Sequence, residues 1–183
     1  MTNSVNSPPI RRQASSGIAS YVPFAKWMHW TIAVLVLAMF TSGVLMKQIG
    51  GGAFADFLFS SHKVFGVVAL ALMVMRLAYR LFARASGIWA KASGAHPVHQ
   101  SIYGLAILVP LLGWAGISDF GARTVFFGLR LPGIWPEGAG QAGLFFTAHA
   151  WLAFALIAAT FLHIGVAIQD HIMRGRTITD NVG

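Results

Sequence analysis

Apolar residues gather into four long stretches, separated by polar or glycine-rich segments. They run from about Trp27 to Met46, Ser61 to Phe82, Ser101 to Ile117 and Leu144 to Gln169. An α-helix needs roughly 20 apolar residues to cross a bilayer, and each stretch approaches that length. All four are expected to be helical, because lipid offers backbone N–H and C=O groups no outside partner. The third is the shortest and contains Pro110, which predicts a kink. The pattern therefore predicts an all-α protein, an integral membrane four-helix bundle. Residues 1–22 are polar, with Pro8, Pro9, Arg11 and Arg12, and read as a disordered cytoplasmic tail. Residues 23–176 form the four-span domain, and 177–183 a C-terminal tail. The first apolar run is longer than the roughly 7–15 residues of a signal peptide and has no A-x-A cleavage site, so it reads as an uncleaved span.

Composition agrees with that class. Of 183 residues, 56% are hydrophobic and 10% charged, against about 25% charged in a soluble domain. With no cysteine, disulfides, iron–sulfur clusters, c-type heme attachment and thiolate metal sites are excluded. The net charge of +8 does not indicate a nucleic-acid partner. Basic residues lie at span ends, where topology and anionic lipid account for them. One side carries Arg11, Arg12, Lys26, Arg80, Arg84, Lys91, Arg174 and Arg176; the other carries Lys47, Lys63, Arg123 and Arg130. Eight against four places both termini in the cytoplasm. The connection from about Ser118 to Gly143 then faces the periplasm and is placed to cover the outer end of the bundle.

The chemistry lies in histidine. His149 and His163 share one apolar stretch, fourteen residues apart. Fourteen residues turn a helix by about 1400°, some 40° short of four turns, and climb about 21 Å. Both imidazoles leave one face at two depths. His29 starts span one at the inner level, and His62 starts span two at the outer level. Two pairs matched in depth result, His29 with His163 and His62 with His149. Span three supplies no ligand. Heme iron takes axial imidazoles from opposite sides of a flat ring, and facing helices of a bundle can supply them. Four histidines in two storeys are what two b hemes need. A single histidine near a span end could instead sit among lipid headgroups, but one at the depth of His163 marks function.

Other residues support this arrangement. Arg76 lies fourteen residues after His62 and so shares its face at the inner level. A buried arginine needs a partner, and heme propionates would pair Arg76 and Arg80; snorkelling to headgroups is the alternative. Lys63 either faces the outer heme or anchors the helix end. Gly66 and Gly43 leave room for a ring or for close helix packing. His96 and His99 fall in the loop before span three, and Asp170 and His171 at the end of span four. They read as surface groups or as proton carriers beside a quinone.

These residues resemble the bacterial cytochrome b561 family, which is related to the cytochrome b subunits of nickel–iron hydrogenases. The resemblance rests on His29–Trp30, on His62 opening span two, and on MRLAYRL from Met75 to Leu81. FFGLRLP from Phe126 to Pro132 and the span-four histidine pair add to it. It covers about Phe24 to Arg174. It implies a four-helix bundle with two b hemes held by His29, His62, His149 and His163. In size the chain is similar to the superoxide oxidase kind of member, which implies electron transfer from superoxide at the periplasmic face to ubiquinone. On that reading Lys63, Arg123 and Arg130 steer the anion inward, or the two arginines pin the loop. Asp56, Asp119 and Glu137 dilute the positive charge. Two other functions stay open: a cytochrome b anchor for a separate dehydrogenase or hydrogenase, and a histidine-lined metal transporter. No carboxylate lies within a span to favour the transporter.

Overall fold

The computed structural model describes the backbone of residues 11–86, 97–125 and 128–174, and side chains from residue 24 onward except Arg84, Pro97, Asp170 and Arg174. Four helices follow one another: α1 (Arg11–Ile49), α2 (Ala53–Ala85), α3 (Pro97–Phe120) and α4 (Ala142–Arg174). Each contains a stretch apolar and long enough to cross a membrane: Phe24–Ile49, Ala53–Ala83, Val98–Phe120 and Ala142–Met173. Large apolar side chains such as Val34, Phe82, Trp151 and Phe161 are exposed on the outside of the bundle, where lipid covers them.

The helices overrun the apolar stretches. Extending a helix by a residue costs little once it is nucleated, so α2 starts at Ala53 and α1 reaches back to Arg11. The expected disordered tail thus holds helical backbone from Arg11; residues 1–10 and 177–183 lie outside the described residues. α3 starts at Pro97, a residue that suits a first helical turn because its missing N–H would have no partner there. It continues through Pro110 as one helix.

Helices α1 and α2 form one hairpin, and α3 and α4 another. The second is the more intimately packed; the two meet along α2–α3 and more thinly along α1–α4. The first turn is built from Gly50–Gly52, with Gly50 and Gly52 at φ 81° and 98°. In the second hairpin α3 ends on Gly121 at φ 81°, and the Ala122 N–H donates to the Ile117 carbonyl at 3.0 Å. This is the Schellman closure that a left-handed glycine permits.

The α3–α4 connection is folded back on the bundle. The Thr124–Arg130 bridge makes a small loop, and the Trp114 indole donates to the Pro132 carbonyl at 2.9 Å. The Ile134 N–H donates to the Ser118 hydroxyl. Lys63 donates to the carbonyls of Ala122 and Thr124 at 3.1 and 2.7 Å, tying the loop to α2. Asp119, 4% exposed, accepts the backbone N–H groups of Gly140 and Gln141. A carboxylate there satisfies donors at the start of α4 and complements the positive end of its dipole.

Asp119→Ala should leave those donors unsatisfied and lower stability by about 1–3 kcal/mol. Thermal unfolding in detergent or nanodiscs checks this, with wild-type stability as the contrary result.

Candidate functional site

Two histidine pairs face each other across the bundle at two levels. At the end where α1 begins and α4 stops, the rings of His29 and His163 stand 6.2 Å apart, centre to centre, at 69°. At the end bearing the two hairpin turns, His62 and His149 stand 6.0 Å apart at 74°. Helix α4 contributes to both levels, α1 to one and α2 to the other.

These separations have chemical meaning. A metal–imidazole bond is about 2 Å and the ring centre lies about 1.1 Å beyond the nitrogen, so two rings on opposite sides of one ion stand about 6 Å apart. Both pairs match that spacing, and their residues fit a bis-imidazole heme iron. A cavity beside His62 and His149 is lined from all four helices and from Leu131 of the folded loop. Its walls are apolar apart from a few groups, and Lys63 and Gly66 lie on them.

The His62–His149 pair is held by groups that the sequence did not reveal. His149 Nδ1 donates to the Val109 carbonyl at 2.8 Å. Gly113 permits that approach, because a Cβ there would lie 3.0 Å from His149 Nδ1. Ser42 Oγ is 3.0 Å from His62 Nδ1 and donates to the Met39 carbonyl at 3.0 Å. Gly43, expected to make room for a heme ring, lies against His62 itself: a Cβ would sit 3.3 Å from its Cε1. Gly66 faces the cavity and, more distantly, Met39.

The other level is richer than expected. His99 does not lie in a loop. It occupies the first turn of α3, with its ring 4.7 Å from that of His163. That spacing is too short for two rings across one iron, so the sharing geometry stays with His29 and His163. Helix α3 thus brings to this level a histidine that the sequence reading placed in the preceding loop. The apolar pattern alone could not find it, because the polar segment before Ser101 hides where the helix starts.

Arg76 is 8% exposed, held within the bundle rather than extended to its surface. It donates from Nε to the Tyr103 hydroxyl at 3.1 Å and from a terminal nitrogen to the Ala25 carbonyl at 2.7 Å. Arg80 donates to the same Tyr103 oxygen at 2.9 Å and lies over its ring. Tyr103, another residue missed in sequence, thus gathers two guanidinium groups at the His29–His163 level.

At the opposite end, Arg123 and Arg130 both bind Glu137, at 2.6 and 3.1 Å. They brace the loop, and the carboxylate offsets part of their charge. His171 is exposed on α4. His96 and the side chain of Asp170 lie outside the described residues.

Comparison with known proteins follows this geometry. Residues 20–180 match the family described as prokaryotic cytochrome b561. The chain belongs to that family. It is also similar to cytochrome b561 homolog 2 of Escherichia coli (strain K12), with 23% identity over 153 residues, covering 78% of this chain and 80% of that protein. No solved structure matches. This cytochrome b561 is thus a multi-pass inner-membrane protein that binds heme b and carries electrons across the membrane.

The Arg123 hydrogen bond, foremost, and both arginine charges hold the Glu137 carboxyl below its ordinary 4.5. A depressed carboxyl stabilises the folded loop above its unfolded value, and that contribution is lost as pH falls through the lower folded value. Amide exchange in residues 121–141 should therefore accelerate as pH drops below 4.5, after correction for intrinsic exchange. Glu137→Gln should exchange faster at neutral pH and lose that pH response; an unchanged profile would contradict the brace.

Proposed function

We propose that this cytochrome b561 holds two b hemes, one between His29 and His163 and one between His62 and His149. It passes single electrons between ubiquinone and a periplasmic one-electron partner. The observation that carries the reading is the repeated separation near 6 Å, 6.2 and 6.0 Å, at two levels of one bundle. Heme supplies a one-electron iron couple. The protein would supply the rest: paired imidazoles to hold the group, apolar walls that exclude water, and buried charge that sets potential.

Each group then has a role. Nδ1 contacts fix the His62 and His149 rings. Arg76 and Arg80, gathered by Tyr103, would bind propionates at the other level. The excess of Lys and Arg where α1 begins and α4 stops supports cytoplasmic termini, which makes His29–His163 the inner level and His62–His149 the outer. His99 and His171 are available at the inner end for the protons that quinone reduction consumes.

Superoxide is the proposed outer partner. Arg123, Arg130 and Glu137 together leave one net positive charge beside Lys63, a surface that attracts a small anion. Purified protein alone should then catalyse superoxide-dependent ubiquinone reduction. Dependence on a separate, co-purifying dehydrogenase subunit would favour the anchor role instead.

His163→Ala should carry one heme per chain instead of two, measured by pyridine hemochrome against protein. Retention of both hemes would remove His163 from the ligand set. Arg76→Leu should lower the potential of the inner heme, since losing a nearby positive charge disfavours the reduced iron. An unchanged redox titration would exclude Arg76 from that environment.

A further inference from the structure

The two levels differ in what their imidazoles donate to. The Val109 carbonyl can only accept, so His149 carries its proton on Nδ1. Ser42 has one hydroxyl proton, and the Met39 carbonyl takes it. A His62 ring that offers Nε2 to a metal carries its proton on Nδ1 and donates it to the Ser42 oxygen. Both rings of this level present Nε2 as the free lone pair. Among the described residues, no hydrogen-bond acceptor holds His29 or His163 in the same way.

We infer that Ser42 and the Val109 carbonyl set the outer level at a lower reduction potential than the inner one, so that an electron held by the protein rests at His29–His163. The inference depends on the two-heme reading above. An acceptor at Nδ1 pulls the proton outward and makes the ring a stronger donor to the metal. A stronger donor favours the ferric state. At the inner level the buried Arg76 guanidinium acts in the opposite sense and favours the ferrous state. Ser42 is thus a positioning residue: it acts on the iron through His62. The order of potentials follows from hydrogen bonds between α1 and α2 and between α3 and α4, independent of which molecule donates the electron.

The test is potentiometric titration of the purified protein, with heme counted in each preparation. Wild type should titrate in two steps. His163→Ala, retaining the outer heme, should titrate near the lower step. Ser42→Ala should move the lower step upward and leave the higher step in place, and Ser42→Thr, which restores an acceptor, should return it toward the wild-type value. If Ser42→Ala loses the outer heme, Ser42→Cys, a weaker acceptor, should show the upward shift instead. Two hemes with His163→Ala at the higher step would overturn the inference and leave the heme reading standing. So would a serine series in which the lower step does not move. Preparations without heme would overturn the heme reading itself, and the inference with it.

Discussion

One constraint accounts for the proposed sites: imidazoles on separate helices must face each other across a gap that would admit one metal and its two bonds. Helix α4 satisfies it twice, through His149 and His163, and the rest of the bundle is arranged to deliver partners at matching depths. Helix α1 brings His29 to one level, and α2 brings His62 to the other. The contact between α1 and α4 is thin although His29 and His163 meet there. The strongest packing is reserved for α3 on α4, where Gly113 lets His149 reach backbone. Helix α3 thus acts as a support for α4: it fixes the ring of His149, caps the start of α4 through Asp119, and anchors the loop that closes the end of the cavity.

Charge is distributed by the same logic. A cation inside a membrane protein is tolerated only where fixed partners hold it. Arg76 meets that condition through Ala25 and Tyr103, and Arg80 shares the same phenol. Both lie at the His29–His163 level. At the end bearing the hairpin turns positive charge is largely committed to structure. Lys63 ties α2 to the loop, and Arg123 and Arg130 converge on Glu137. The remainder is a modest positive surface.

Much of this architecture was legible in the chain, because a membrane restricts the alternatives. Four apolar stretches could only be helices, and a fourteen-residue spacing on one of them fixed both a shared face and a depth difference. The pairing of His29 with His163 and of His62 with His149 followed from alternating direction alone. What stayed hidden depended on contacts between segments. His99 precedes the apolar pattern of α3, and Pro97, which suits a first helical turn, carries no apolar signal. Ser42 and Gly113 look like ordinary small residues of packed helices. Only the position of an imidazole beside each reveals its part. Helix ends beyond the apolar stretches, including the helical backbone from Arg11, carry no hydrophobic signal. The bond between Glu137 and two arginines likewise depends on a loop fold that no periodicity encodes.

The central claim concerns stoichiometry: two imidazole pairs, each holding one porphyrin. It is tested most directly by the ratio of heme b to protein in the purified wild-type chain, measured by hemochrome absorbance against quantitative amino-acid analysis. A ratio of two from heme-replete cells is the expected result. A ratio of one, or a folded colourless protein, would contradict the account.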